Sequence, residues 1–332
     1  MLITVQKPKP KVSVVMITYN HEKFIAQAIE GVLMQKTDFP FELIIGEDCS
    51  TDGTRKIAQD FQQKYPETVR LLTPESNLGV GRNTVTCLNA CEGQYVTFCE
   101  GDDFWTDPSK LARQIELLDD QPEAAICFHK VGMLDDITGE NRGYFPDTTF
   151  IENRLSQKEV ISKCWIATCS AMFRRKNMPL LDNGFAGLQI CDWALFILLT
   201  RHGYVAYIDE VMAQYRVHGT GVWSSGTGLY RIRETIRTLE YVLPDVFAEE
   251  KAELRKRLGR YYMRAGREAL QMGSRSEARK FVLQSFFHYL AGRELGMQHL
   301  KFLSKMYFPS AVSGLRAVRQ SLKNKNGNLK LQ

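Results

Sequence analysis

Short apolar runs and helix-spaced segments alternate along the first half of this chain. Val12–Thr18 (VSVVMIT) is apolar and rich in β-branched residues, bounded by Pro10 and Asn20, and reads as a strand. Glu22–Met34 carries apolar residues at Phe24, Ile25, Ala28, Ile29, Val32 and Leu33, the spacing of one helix face. The pattern then recurs. Phe41–Gly46, Val69–Leu72, Gln94–Cys99 and Ala124–Lys130 read as strands. Helices fall between them: from Thr51 or Asp52 to Lys64, over Gly81–Cys91, and from Asp107, a cap ahead of Pro108, to Asp119. Strands alternating with helices predict an α/β fold, a Rossmann-like, mostly parallel sheet with helices on both faces.

Further along, residues 131–165 read as irregular. Ile166–Arg174 and Tyr204–Ile208 read as strands and Asp192–His202 as an apolar helix. Beyond residue 228 the pattern is wholly helical. Arg257–Met272 and Ser276–Tyr289 form a helical hairpin about Gly273-Ser274, and Gly314–Gln332 is a basic tail that frays. The chain therefore divides into an α/β region, 1–228, and an added all-helical C-terminal region, 229–332.

Charge sharpens that division. Residues 229–332 carry 21 Lys and Arg against 9 Asp and Glu, whereas residues 1–228 carry 22 against 29. A basic half suits an anionic lipid surface or a phosphate-bearing substrate. A nucleic-acid partner is not expected, because the basic region has no reader motif and no aromatics interleaved in a sheet. No apolar run approaches the ~18–20 residues that span a bilayer. Met1–Lys11 has no apolar signal core. The eight Cys lie between Cys49 and Cys191 with no C-x-x-C pair, which points to reduced, buried thiols in a cytoplasmic protein.

Candidate chemistry sits where strands end. Gln94–Cys99 runs into Glu100-Gly101-Asp102-Asp103. Three carboxylates in four residues repel one another unless a cation sits among them. Hard oxygen ligands suit Mg²⁺ or Mn²⁺, ions that usually come with substrate phosphates. In such sheets the ligand lies beyond the carboxyl ends of the strands. That rule brings Thr18-Tyr19-Asn20, Glu47-Asp48-Cys49-Ser50 and Glu100-Gly101-Asp102-Asp103 to one rim. Asp48 can accept from a base N–H or a ribose hydroxyl, and Asp52 can cap the following helix. Gly79-Val80-Gly81-Arg82-Asn83 lacks the third Gly of a dinucleotide loop, so Arg82 is read as a partner for phosphate or carboxylate. Asp192 opens an apolar helix, and His218 follows a strand.

Six segments stand in a familiar order: ITYNHEKFIAQAIEGVLMQ, LIIGEDCSTDGT, NLGVGRN, YVTFCEGDDFW, CDWALFILLTRHG and YRVHGTGVWS. Over residues 10–223 this resembles a family 2 glycosyltransferase of the GT-A fold, of the non-processive bacterial type. The resemblance implies an inverting, metal-dependent transfer from a nucleotide-sugar, a UDP-sugar by preference, to a glycan or lipid-linked glycan of the cell surface. It implies that Thr18, Tyr19 and Asn20 form the base-binding loop, with Asp48 recognising the base and Asp52 supporting it. It implies a D-x-D role for Glu100-Gly101-Asp102, with Asp102 or Asp103 on the divalent ion and Glu100 toward the ribose. Asp192 resembles the general base, and His218 the histidine that completes the metal or diphosphate site.

Three positions depart from the family's pattern. Glu100 replaces the first Asp of D-x-D, Cys191 stands where an acidic residue usually precedes the base, and the Gln-x-x-Arg-Trp motif of processive synthases is absent. The last, with the lack of spanning helices, implies one sugar added per encounter. The expected location is cytoplasmic, peripheral on the inner face of the cell membrane through 229–332. A homo-oligomer stays an open partner. The competing reading is an inactive nucleotide-sugar-binding scaffold on the same fold.

Overall fold

The computed structural model describes residues 9–292 apart from 149, 151, 152, 220, 222–225 and 227, together with Ser304 and Tyr307. The chain forms two compact units, Met1–Gly226 with Pro244–Phe247, and Thr227–Leu243 with Ala248–Gln332. The first runs β1 (Val12–Thr18), α1 (Ile25–Leu33), β2 (Phe41–Glu47), α2 (Thr54–Lys64), β3 (Val69–Leu72), α3 (Val80–Ala90), β4 (Tyr95–Phe98), β5 (Phe104–Trp105) and α4 (Lys110–Asp120). It continues with β6 (Ala124–Asp135), β7 (Asn141–Phe145), β8 (Arg154–Leu155), α5 (Gln157–Ser162), β9 (Met172–Arg174), α6 (Asn183–Ala186), α7 (Cys191–Leu199) and β10 (Tyr204–Val217).

One sheet carries the strands in the order β3-β2-β1-β4-β9-β6-β10-β5, with β7 on β6 and β8 on β10. β3, β2, β1 and β4 are parallel neighbours, as are β6 and β10, while β9 runs antiparallel between β4 and β6. β1 is buried along nearly its whole length, as expected of a parallel strand covered on both faces. The chain leaves β1 toward β2 and β3, then returns to β4 on the other side. That reversal opens a crevice at the carboxyl ends of β1, β2 and β4.

α1 buries Ile25, Ala28, Ile29, Gly31 and Val32. A Cβ on Gly31 would stand 2.9 Å from both the backbone N and O of Trp105, so glycine lets α1 lie directly on β5. On the other side of Trp105, Lys110 is fully buried. Its ammonium sits 3.8 Å from the Trp105 ring centroid, 2.7 Å from Gln114 Oε1 and 3.3 Å from Thr97 Oγ1. Burial brings its pKa down to about 8.

The structure departs from the sequence reading in several places. Residues 131–165 are not irregular: they hold the end of β6, then β7, β8 and α5. β10 runs to Val217, not to Ile208. It passes the polar pair Asp209-Glu210 through a register shift between Ile208 and Val211, a bulge that hides the strand from an alternation test. Of Ile166–Arg174 only Met172–Arg174 is extended, because Thr168–Ser170 forms a 3₁₀ turn. α4 starts at Lys110 with Ser109 at its N-cap. Asp107 instead accepts from the Ser109 backbone and hydroxyl at 2.7 and 2.6 Å.

The second unit holds α8 (Gly228–Val242), α9 (Ala248–Gln271) and α10 (Arg275–Ala291). α9 begins nine residues before the expected Arg257. The turn falls at Gly273, whose φ of 83° is left-handed. α9 and α10 approach closely at glycines: a Cβ on Gly259 would lie 2.8 Å from the Tyr289 ring, and one on Gly266 2.9 Å from Val282. The expected tail, 314–332, lies outside the described residues. Among the described residues no helix is long and apolar enough to cross a membrane.

Candidate active site

The rim is built from two loops that bond each other. After β1 the chain turns at Asn20, whose φ is 57°; after β2 it turns at Cys49, φ 60°. Asn20 N–H donates to Ser50 Oγ at 2.9 Å, and Asn20 Oδ1 accepts from Thr51 N–H at 2.8 Å. His21 N–H donates to Thr54 Oγ1 at 2.8 Å, and Glu22 N–H to Asp52 Oδ2 at 3.1 Å. Glu22 Oε2 accepts in return from Gly53 N–H at 2.8 Å. Asp52 also accepts from Thr54 N–H at 3.0 Å, and the bonds to Thr54 and Glu22 outweigh desolvation to lower its pKa. Asn20 and Asp52 therefore hold the rim together. Tyr19 is exposed above it.

Asp48 is buried, and each of its oxygens accepts a backbone N–H, from Leu78 at 2.7 Å and Gly79 at 2.8 Å. It fixes the turn that leads into α3, where Arg82 is exposed and makes no ion pair with a described residue. Glu47, placed on the rim by element order but given no role there, is fully buried and accepts from Ser50 N–H and from the Arg55 guanidinium.

Beyond β4 the carboxylates separate into different environments. Gly101 N–H donates to Ile17 O at 3.0 Å, pressing this turn onto β1. A Cβ on Gly101 would lie 2.5 Å from Thr18 Oγ1, so Gly101 serves close approach. Asp102 Oδ2 stands 3.0 Å from His218 Nε2 and 3.7 Å from His21 Nε2. Burial works to raise Asp102, but the His218 hydrogen bond and the two imidazoles hold it below its ordinary value. The same bond raises His218. Burial lowers His21. Asp103 is nearly inaccessible, and its Oδ1 accepts from Arg216 N–H at 2.9 Å. Burial, then the charge on Asp102, pushes it well above the carboxylate range. Glu100 is likewise raised, by burial, Asp103 and Asp102, and its buried Oε2 has no hydrogen-bond partner among the described residues.

Asp102 and His218 thus fit a divalent ion, as one carboxylate oxygen and one imidazole nitrogen side by side. Asp103 does not, because it is enclosed and already bonded to backbone. Among the described residues no three such side chains converge closely enough to hold an ion alone.

Asp192 sits in the first turn of α7. Its Oδ2 accepts from Thr168 Oγ1 at 2.7 Å and its Oδ1 from Trp193 N–H at 2.8 Å. Burial raises its pKa against those hydrogen bonds. Its charge reaches Glu100 and adds to the forces raising it, which ties Asp192 to the same crevice. Cys191 is buried, its thiol 3.6 Å from Thr84 Oγ1.

Four residues here escaped the sequence reading: His21, Thr168, Tyr215 and Arg216. Burial and then Asp103, Asp102 and Glu100 raise the Tyr215 hydroxyl. Arg216 lies between two phenyl rings, 5.1 Å from Phe24 and 4.6 Å from Phe104, and bonds Gln27. Its guanidinium also stands 3.6 Å from Asp136. The available signal was position: His21 directly follows the base loop, and Arg216 lies two residues before His218.

Carboxylates and imidazoles gather on the carboxyl rim of a mostly parallel sheet, the place where α/β proteins bind their ligands. The model of one family, "Glycosyl transferase family 2", matches residues 13–178. This chain belongs to glycosyltransferase family 2, and its fold is GT-A. An uncharacterized protein of Mycobacterium tuberculosis is 38% identical over 213 residues, 64% of this chain and 60% of that protein; the match spans about three fifths of such relatives. A putative teichuronic acid biosynthesis glycosyltransferase of Bacillus subtilis is 28% identical over 70% of this chain and 91% of its own length. The crystal structure of S. aureus TarS 1–349 with UDP-GlcNAc superposes with a TM-score of 0.59 at 20% identity, covering 83% of this chain and 81% of that one.

Proposed function

We propose that this protein is an inverting, divalent-metal-dependent glycosyltransferase. It moves a sugar from a nucleotide-sugar, a UDP-sugar by preference, to a glycan or lipid-linked glycan in cell-surface polysaccharide biosynthesis. The observation that carries the reading is the 3.0 Å pairing of Asp102 with His218, together with the half-buried Asp192 in the first turn of α7. The UDP-GlcNAc of the TarS structure and the teichuronic acid role of the Bacillus relative support the donor and product classes.

The chain's own residues divide the work. Thr18, Tyr19 and Asn20 line the base loop and Asp52 supports it; Asp48, which also anchors the turn into α3, recognises the base, Arg82 serves the phosphate and Glu100 the ribose. Asp102 and His218 would hold the ion on the diphosphate. Such an ion offsets the charge that builds on the leaving nucleoside diphosphate. Asp192 takes the proton from the acceptor hydroxyl as that oxygen attacks the anomeric carbon and the bond to the diphosphate breaks. Burial strengthens Asp192 as a base. One base and one displacement invert the anomeric carbon, unlike the two-carboxylate route of retaining glycosidases. Residues 229–332, with their excess of Lys and Arg, draw the enzyme to the anionic inner face of the membrane at ~1 kcal/mol per charge near the surface.

Thermal stability with Mn²⁺ and a panel of nucleoside diphosphates tests the donor site. A midpoint raised by UDP only with Mn²⁺, and not in Asp102→Ala, is expected. GDP or dTDP acting instead would change the donor; no shift at all would remove the site as described. Cys191, in place of the usual acid, favours the scaffold alternative. Transfer abolished by Asp192→Asn with UDP binding intact rules that alternative out.

A further inference from the structure

Resting on the transferase reading and its membrane-borne acceptor, we infer that the outer face of α10 docks on an anionic lipid bilayer. Leu283, Phe287 and Leu290 are 38%, 53% and 55% exposed. They recur at i, i+4 and i+7, so they form a single stripe along the helix. The opposite side of α10 is already occupied. Ala278, Val282, Ser285 and Tyr289 are buried, and Ser285 Oγ donates to Gly259 O of α9 at 2.8 Å. The stripe is therefore a second apolar face on a helix whose core face is satisfied. One exposed leucine is ordinary, but three large apolar side chains in line on one surface mark an interaction site.

The charge around the stripe selects the occupant. Arg279 and Lys280 are exposed one turn before Leu283, and Arg275 one turn before them. Glu277 is the sole carboxylate in α10, and it is bonded to Arg233 of α8. Tyr307 Oη donates to Arg279 O at 3.1 Å, and its half-exposed ring lies 5.7 Å from the Arg279 guanidinium. α10 is apolar on two sides, one on α9 and one outward; the outward side, Leu283, Phe287 and Leu290 with a cationic border, matches the face that an interfacial helix presents to lipid. The apolar chains enter the acyl boundary while the cations meet anionic headgroups.

The test uses the full chain and vesicles of phosphatidylglycerol with phosphatidylcholine, against phosphatidylcholine alone, at low and high salt. The expected result is sedimentation with the anionic vesicles that weakens with salt. Leu283→Gln/Phe287→Gln/Leu290→Gln reduces that partition ~10-fold or more. Should this variant misfold, the exposed pair Arg279→Gln/Lys280→Gln carries the test, and it lowers the anionic partition alone. The inference is overturned by equal binding of wild type and variants, by equal binding to neutral vesicles, or by no binding. It is also overturned if α10 proves a self-association surface, seen as a concentration-dependent oligomer that the apolar variant loses. UDP-dependent stabilisation measured on the same samples reports the donor site separately, so a failed docking face and a failed transferase reading give different results.

Discussion

Replacing Lys110 by Met isolates the energy of one buried ammonium. Lys110 is fully buried on the Trp105 ring, with Gln114 and Thr97 as its oxygen partners and no carboxylate paired with it among the described residues. Burial takes its pKa from 10.5 to about 8. A displacement of that size corresponds to about 3 kcal/mol against the charged folded state. The sign follows from proton binding. Below pH 8 both states keep the proton and the folded state carries the whole penalty. Between pH 8 and 10.5 the unfolded chain binds more protons than the folded one, so stability rises with pH. Integrated from pH 7 to 9.5, Lys110 alone raises stability by about 2 kcal/mol. The Lys110 charge acts on the Cys99 and Cys127 thiols, but burial raises both, so the difference between the two curves is dominated by the lysine. The assay is urea unfolding under reducing conditions at several pH values. A gap between wild type and Lys110→Met that closes or reverses by about 2 kcal/mol toward alkaline pH is expected. A gap constant with pH would refute the reasoning and show that Lys110 finds water or an anion in the folded state.

Asp192→Asn is expected to lower kcat by ~10²–10⁴ while UDP binding, read by thermal shift, is retained. Because burial raises Asp192, the acid limb of kcat/KM lies above the usual aspartate range. Thr168→Val removes a hydrogen bond to the charged form and moves that limb further up; an unmoved limb would exclude Asp192 as the base. Arg216→Met loses the Gln27 bond and the Asp136 ion pair, freeing the segment that carries His218. Metal activation then weakens ~10-fold at little cost in melting temperature, whereas an unchanged metal requirement would leave Arg216 a purely structural residue. Gly31→Ala forces a Cβ to 2.9 Å from the Trp105 backbone, and urea unfolding should register a loss of about 1–3 kcal/mol.

Much of the frame is legible in the sequence because parallel strands bury both faces. VSVVMIT, FELIIG and YVTF are short apolar runs that end where polar loops begin, so their carboxyl ends, and the rim between them, follow from element order. What spacing cannot tell is which of two adjacent carboxylates is free. Asp102 and Asp103 are equivalent on paper, and only the fold encloses Asp103 against the Arg216 backbone. His21 and Arg216 were missed for a related reason. Their partners lie across the sheet, on segments more than 80 residues away in Asp102 and Asp103. A bulge that breaks the period-two rule at Asp209-Glu210 hides the second half of β10 from the sequence pattern. Lys110 reads as an ordinary helix charge until tertiary packing closes over it.

The reciprocal bonds between the loops after β1 and β2 make those loops a coupled pair. Asn20 both donates to Ser50 and accepts from Thr51, and Glu22 does the same with Asp52 and Gly53. His21 N–H to Thr54 Oγ1 and Asp48 N–H to Thr18 O also join the loops, so losing one side-chain partner loosens both loops together, and a second change at its mate adds little further damage. Substitutions here are strongly non-additive. A shift in nucleotide preference that runs through this rim consequently needs matched changes in two segments thirty residues apart, and a screen of single variants will find few of them.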